Sequence, residues 1–376
     1  MKPMIKYLSR TKPKELAGVA LLRLDFNTQD DWRMEAVLPT VKLLMKTASK
    51  VVIVSHRGRP EGGEIVNGTP KGFPADLHLK RDAVHLARFI KRKVKFVSHF
   101  RFDEIKQAID RAPKGSIFLL DNLRFLKGEE ANDPALAARL ASLANFYVND
   151  AFAVSHRANA SVAAITKFLP SYAGIELEQE IVSLSKAMVK PEHPLVMILG
   201  GAKASDKLGV ITFFRRKADW FLLGGGPANS ILTLKGMDVK RSLREQDPKV
   251  IATLAVTARQ ENVVLPVDFV WGREAILDVG PKTVALFSAK IAAARTIIWS
   301  GPLGLIEKKA YAKASVAVAK AIGRNRKAFS VSGGGETVMF LKKYKLDKKF
   351  SFISTGGGAM VDFLAGEKLP GIEALK

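Results

Sequence analysis

Short apolar runs recur along this chain, and each stops abruptly in a polar or glycine-rich turn. The first half carries them at 21–24, 51–54, 94–97, 117–120 and 146–148. The second carries them at 195–199, 220–223, 263–265, 297–299, 329–331 and 351–353. Bounded runs of this length read as strands of a parallel sheet covered on both faces. Helical segments fall between them. Residues 136–143 are rich in Ala and Leu and follow Asn132-Asp133-Pro134, an N-cap with Pro in the first turn. Residues 250–260 and 311–322 are similar. Alternation of this kind predicts a doubly wound α/β architecture.

At 376 residues the chain is too long for one ordinary domain, and two are expected. The boundary falls between Phe168 and His193. Leu169-Pro170-Ser171 closes the first half, 176–189 reads as one Glu-, Leu- and Lys-rich helix, and Pro191-Glu192-His193-Pro194 opens the second half. The reading is therefore a first domain over 1–170, a connecting helix within 171–190 and a second domain over 191–365.

The two halves end their strands differently. In the first, strands run into Asp25-Phe26-Asn27, Ser55-His56-Arg57-Gly58-Arg59 and Asp121-Asn122-Leu123-Arg124. In the second they run into Gly200-Gly201-Ala202-Lys203, Gly224-Gly225-Gly226 and Ser354-Thr355-Gly356-Gly357-Gly358. Ligands of open parallel sheets bind outside the strands' carboxyl ends. One half thus reads as a side-chain grip for a small anion, the other as bare backbone for a phosphate-bearing ligand. Two such sites in one chain point to transfer of a group between their ligands.

Composition narrows this picture. A hydrophobic content of 47% suits a well-cored protein. Cysteine is absent, which excludes disulfides, thiol nucleophiles and thiolate metal sites. The N-terminal residues have no continuous apolar stretch of the secretory kind, and no run approaches a membrane span, so a cytoplasmic protein is expected. The formal charge of +24 admits nucleic-acid binding, steering of anionic substrates, or solvated helix faces. The basic clusters are scattered at helix ends, where cations suit the helix dipole. No helix-turn-helix, zinc finger or aromatic RNA-binding signature is present, so the solvated reading is preferred and no nucleic-acid partner is expected.

In the first half Arg33, His56, Arg59, Arg124 and Arg157 each follow a strand or its loop, with Asp25 and Asn27 beside them. Arginine presents a planar fork of donors that matches carboxylate and phosphate oxygens. Five cationic or potentially cationic residues at strand ends predict a pocket for a small ligand with at least two anionic groups. The six histidines form no metal-type pair and no Ser-His arrangement. In the second half three Gly-Gly-Gly clusters exceed what turn geometry alone requires, and glycine permits close approach of phosphate to a helix N-terminus. The P-loop and dinucleotide-fold fingerprints are both missing. Lys203 and Lys207, four residues apart, are expected on one face of the next helix. Glu336 is a candidate metal ligand through oxygen and Glu307 a candidate ribose ligand.

These residues resemble phosphoglycerate kinase over nearly the whole chain. The matching stretches include Leu24-Asp25-Phe26-Asn27, Ser55-His56-Arg57-Gly58-Arg59-Pro60, Asn122-Leu123-Arg124-Phe125 and Ser155-His156-Arg157-Ala158. They continue with Gly200-Gly201-Ala202-Lys203-Ala204-Ser205-Asp206-Lys207, Gly301-Pro302-Leu303-Gly304 and Ser354-Thr355-Gly356-Gly357-Gly358-Ala359. The resemblance implies two Rossmann-like domains joined by a helix, with the tail 366–376 packed back on the first, and a monomer. It implies transfer of the acyl phosphate of 1,3-bisphosphoglycerate to ADP, giving 3-phosphoglycerate and ATP, with Mg²⁺ and in-line transfer on hinge-bending closure, as in glycolysis. The acid substrate would be held by Asp25, Phe26, Asn27, Arg33, His56, Arg57, Gly58, Arg59, Arg124 and Arg157. The nucleotide would be held by Gly201, Ala202, Lys203, Lys207, Gly224, Gly225, Pro302, Glu307, Gly334, Gly335, Glu336 and Thr337, with Glu336 on the Mg²⁺. Arg33, Lys203, Gly334 and Gly357 would stabilise the transferring phosphoryl group.

The departures cluster on the nucleotide side. Glu336 stands where the family usually has Asp, Ser300 where it has Asn, Ile306 where it has Phe, and Ile276 near the expected adenine site where glycine is frequent. Two alternatives therefore accompany the kinase reading: a catalytically weak nucleotide-binding relative, and a basic nucleic-acid-binding protein on the same scaffold.

Overall fold

Val, Ile, Leu and Phe dominate the strands because both faces of each sheet are covered by helices. The computed structural model describes residues 4–28 and 31–376. The chain divides into two compact units: residues up to Glu180 together with Lys368–Lys376, and Ile181–Glu367.

In the first unit the strands are β1 (Val19–Arg23), β2 (Lys50–Val54), a small antiparallel hairpin of β3 (Glu64–Val66) and β4 (Thr69–Lys71), β5 (Val94–Val97), β6 (Ile117–Leu120), β7 (Phe146–Asn149) and β8 (Ser171–Ala173). The main sheet has the order β5-β6-β2-β1-β7-β8 and all its pairings are parallel. β1 lies between β2 and β7, with Leu22 opposite Ile53 on one side and Val148 on the other. Those three side chains are fully buried in a core that also takes Val41, Leu44 and Leu86 from two helices. The strand β8 was not visible in the sequence. Its three residues fall within the stretch read as connector, which is helical only from Ile175.

The second unit contributes β9 (Leu195–Leu199), β10 (Trp220–Leu223), β11 (Val263–Val264), the antiparallel pair β12 (Phe269–Trp271) and β13 (Ile276–Val279), β14 (Thr296–Ser300), β15 (Phe329–Gly333) and β16 (Phe352–Ile353). Its main sheet runs β11-β10-β9-β14-β15-β16, again wholly parallel. Trp299, fully buried, packs against Phe340 and Phe350 in this core. The expected doubly wound α/β folds are thus present in both halves. Among the described residues no helix is long and apolar enough to cross a membrane.

Local signals set several helix starts. Asp133 accepts the Ala135 N–H at 2.8 Å with Pro134 next, and Asp247 accepts the Lys249 N–H at 2.8 Å with Pro248 next. Such caps are each worth about 1 kcal/mol. The helix Ile175–Val189 is started differently. Its first N–H groups are taken by Thr40 Oγ1 (from Ile175, 2.8 Å) and Asp150 Oδ1 (from Leu177, 3.0 Å), which come from remote parts of the chain. At the other end, Gly371 N–H donates to the Ser155 carbonyl at 2.8 Å, which fixes the tail helix Pro370–Glu373 within the first unit.

Candidate active site

Adjacent strands deliver the anion-binding candidates. Asp25, Asn27 and Arg33 follow β1; His56, Arg57, Gly58 and Arg59 follow β2; Arg124 follows β6; Arg157 follows β7. Those four strands are neighbours in the order β6-β2-β1-β7, so their carboxyl ends converge although the residues span much of the unit.

Side-chain bonds link the cluster. Arg33 Nη1 donates to Asp25 Oδ2 at 2.7 Å and to the Asn27 carbonyl at 3.3 Å. Asn27 Oδ1 accepts the Gly58 N–H at 2.8 Å, which ties the loop after β1 to the loop after β2. Phe26 N–H donates to Ser55 Oγ at 3.0 Å with the Phe26 ring buried beneath. Burial by itself would raise the Asp25 carboxyl, but His56, Arg33, the Asn27 N–H and Arg23 together hold it below its ordinary range. Arg124 donates to the Gly58 carbonyl and lies 3.4 Å from Glu130. Its guanidinium is pulled down by burial and by the charges of Arg157, Arg23 and Arg59, partly offset by Glu130. This mutual repulsion among cations is what an anionic ligand relieves. Arg57 is engaged elsewhere: it donates to Asp82 at 2.5 Å and to the Thr28 carbonyl at 3.1 Å.

His56 corrects an expectation. The sequence counts it among potentially cationic groups, but it is 2% exposed and burial, with Arg23, Arg124 and Arg157 nearby, pushes its pKa down to about 3 despite Asp25. It is a neutral imidazole at physiological pH. Sequence reasoning also missed Arg23 and Asn122. Arg23 is the last residue of β1 and is buried beneath the cluster. Asn122 Oδ1 accepts the N–H groups of Arg57 and Arg124, both at 3.1 Å, and shapes both loops. Strand-end position was the signal available for both.

In the second unit, segments at the ends of five adjacent strands supply the nucleotide candidates: Gly224–Gly226 after β10, Gly200–Lys207 after β9, Ser300 at the end of β14 with 301–307 after it, Gly334–Thr337 after β15 and Gly357–Gly358 after β16. They form two connected clefts. One is mostly apolar, lined by Gly225, Phe269, Ile276, Leu303 and Glu307 among others. The other, distinguished as the polar cleft by the charged side chains it carries, is lined by Lys203, Lys207, Ser300, Gly334, Gly335, Glu336, Thr337 and Gly357. Gly201, Ala202 and Glu336 border both. Pro302 and Gly225 line the apolar cleft only, and Gly224 lines neither; a Cβ there would sit 2.6 Å from Leu303 Cδ2.

Lys203 and Lys207 do not share a helix face. Lys203 sits in an irregular loop, Ser205–Lys207 is a single tight turn, and the helix proper begins at Leu208. Both lysines nevertheless reach the polar cleft. Lys207 Nζ donates to Ser300 Oγ at 2.9 Å, and burial lowers its pKa, with Asp206 and Glu336 opposing. Thr337 Oγ1 accepts the Gly301 N–H at 3.0 Å, joining the loops after β14 and β15. Asp278, buried behind the apolar cleft, accepts the Ala314 N–H at 3.0 Å; burial pushes its pKa up to about 6.

The glycines divide into two kinds. Gly225 has φ +53, and a Cβ there would sit 2.4 Å from the Gly201 carbonyl oxygen. Gly201 itself accepts from Gly226 N–H at 2.8 Å. These glycines let neighbouring loops pack backbone to backbone. Gly335 and Gly358 differ, since a Cβ at either meets nothing within 4 Å. Only the second kind leaves open space at a helix start.

A family model described as phosphoglycerate kinase matches residues 18–367. This chain belongs to the phosphoglycerate kinase family. A phosphoglycerate kinase of Dictyoglomus turgidum is 39% identical, with 95% of each chain covered. One of Acidobacterium capsulatum is 40% identical, covering 94% of this chain and 95% of the relative. Among solved structures, phosphoglycerate kinase from Coxiella burnetii superposes with TM-score 0.83 at 32% identity and 99% coverage of both chains. That from Pyrococcus horikoshii gives 0.84 at 28%, covering 99% of this chain and 98% of the other. Members of the phosphoglycerate kinase family transfer phosphate between 1,3-bisphosphoglycerate and ADP, and the two-unit parallel α/β architecture is theirs as well.

Proposed function

We propose that this chain carries that transfer out with the two clusters described: the first unit holds the acid substrate and the second the nucleotide. The convergence of Asp25, Arg33, His56, Arg124 and Arg157 from four adjacent strands carries this reading. A ligand with a carboxylate or acyl phosphate at one end and a phosphate at the other relieves the repulsion among the arginines of that cluster. Asn27, Phe26 and Gly58 shape the pocket, Arg59 and Arg157 face the second anionic group, and Arg57 supports the loop through Asp82.

The nucleotide places its base in the apolar cleft with Glu307 toward the ribose, and its phosphates in the polar cleft against Lys203 and Lys207. The helix Gly335–Lys343 begins there, and its free first-turn N–H groups favour negative charge. Mg²⁺ arrives with the nucleotide as part of the substrate. Among the described residues no group of three or more metal-ligating side chains exists. One exposed carboxylate, Glu336, borders both clefts, and a cation held by phosphates plus one carboxylate suits Mg²⁺. Bound there, it neutralises phosphate charge.

A terminal oxygen of ADP attacks the acyl phosphorus, the P–O bond to the carboxyl breaks, and the carboxylate leaves. No proton needs removal, so no base is required, and catalysis is positioning with electrostatic stabilisation. Arg33, Lys203 and the backbone at Gly334 and Gly357 supply that stabilisation. Because the substrates bind different units, closure must align them and exclude water. The chain works as a cytoplasmic monomer in this reading.

The test is a coupled assay of 1,3-bisphosphoglycerate formation from 3-phosphoglycerate and Mg-ATP. The parent chain turns over, and Arg33→Ala or Lys203→Ala each lowers kcat by about 10²-fold or more. Robust turnover in either variant removes it from its role; a silent parent favours the weak-relative alternative.

A further inference from the structure

We propose that Arg23 is a positioning residue that fixes the tautomer of His56, so that the imidazole offers the acid substrate a neutral Nε2–H donor. This rests on the acid-site reading above. Arg23 is 1% exposed, buried as deeply as the His56 ring it contacts, which is 2% exposed. Its donors are committed inside the protein. Nε donates to Ser161 Oγ at 2.9 Å, Nη1 donates to the Leu24 carbonyl, and Nη2 lies 3.2 Å from His56 Nδ1. A guanidinium has donors only and stays charged, so the acceptor in that last contact is the Nδ1 lone pair. An imidazole accepting at Nδ1 is neutral and carries its proton on Nε2.

The competing partner is Asp25, whose Oδ1 lies 3.6 Å from the same nitrogen, beyond hydrogen-bond range. A proton on Nδ1 would point at Asp25 but would also confront the Arg23 donor. The cations Arg23, Arg124 and Arg157 oppose a second ring proton, with Asp25 alone favouring it.

Arg23 is itself held from behind. The Ser161 hydroxyl that accepts from Nε donates to Glu129 Oε1 at 2.6 Å, and Ser161 N–H donates to Glu129 Oε2 at 3.0 Å. Tyr147 Oη donates to the Ser161 carbonyl at 2.7 Å. Glu129 is fully buried, 3.9 Å from Arg23 Nη2. The relay Glu129, Ser161, Arg23, His56 thus runs from the core to the anion cluster. Each member has one consistent donor and acceptor assignment.

The experiment labels histidine with ¹⁵N in the full chain and reads the two ring nitrogens of His56 by long-range proton–nitrogen correlation at neutral pH. The expected result is a protonated Nε2 and a bare Nδ1 without ligand, with the Nε2 signal shifting when 3-phosphoglycerate is added. Arg23→Met should mix the tautomers and raise KM for 3-phosphoglycerate on the order of tenfold, with a smaller change in kcat. Should that variant fail to fold because Glu129 is stranded, Arg23→Met with Glu129→Gln removes both charges and serves instead. In a His56→Gln background, the Arg23 change should have little further effect on KM, since the two act through one path. A proton on Nδ1, or a doubly protonated ring, in the parent chain overturns the proposal. So do additive effects of the Arg23 and His56 substitutions. An Nε2–H tautomer whose signals ignore 3-phosphoglycerate overturns instead the acid-site reading, and with it the ligand-facing part of this one.

Discussion

Gly225 and Gly335 have the same side chain and opposite reasons for it. At Gly225 a methyl group would be driven into the Gly201 carbonyl, and the backbone is in the left-handed region. At Gly335 the same methyl would meet nothing within 4 Å. We expect Gly225→Ala to destabilise the second unit by about 1–3 kcal/mol in denaturant unfolding, through strain and loop displacement. Gly335→Ala should leave stability within about 1 kcal/mol and act on nucleotide KM, because the methyl occupies space proposed for phosphate. Equal unfolding midpoints for both variants would contradict this division. The sequence showed glycine clusters after strands but could not sort them, since the sorting depends on which loop lies opposite.

Element by element, helix starts show what is local and what is not. Asp133-Pro134 and Asp247-Pro248 cap their own helices, and the first was readable from residue order alone. The helix Ile175–Val189 depends on Thr40 and Asp150, which only folding brings to it. Burial of Asp150 at that helix start pushes its pKa up to about 7, against hydrogen bonds that favour the charged form. The folded chain holds this proton at pH values where the unfolded chain has lost it. Asp150 therefore contributes stability at low pH, and that contribution is lost as pH rises from about 4 to about 7. Asp150→Asn keeps an oxygen for the Leu177 N–H and cannot ionise. Its stability relative to the parent should rise across that interval, reaching on the order of a few kcal/mol at pH 8. Parallel stability–pH curves for the two proteins would show that Asp150 titrates normally.

For the whole molecule, the charge of +24 dominates. Like charges oppose the compact state and attract anionic substrates, and salt weakens both effects. Raising ionic strength from about 0.01 M to about 0.15 M shortens the screening length from about 30 Å to about 8 Å. We expect Tm to rise over that range while kcat/KM for 3-phosphoglycerate falls. Calorimetry and the coupled assay at matched salt concentrations test the pair; a Tm that drops with salt would assign net stabilisation to surface ion pairs. The same excess charge explains why composition alone left nucleic acid as a competing partner. Composition counts cations without recording that Arg23, Arg33 and Arg124 gather with Asp25 and the neutral His56 around one site.

The sequence by itself determined the alternation of strands and helices, the two-unit organisation and the strand-end positions of the anion-binding candidates. These follow from local periodicity and from residue types whose backbone preferences act over a few positions. Tertiary structure decided the rest. It set the strand order that gathers Asp25, His56, Arg124 and Arg157 into one cluster, and it placed β8 at the sheet edge. It also neutralised His56, buried Arg23 beneath it and carried Lys203 off the helix while leaving it in the cleft. Each of these depends on desolvation or on a partner remote in the chain, and neither is written in the order of neighbouring residues.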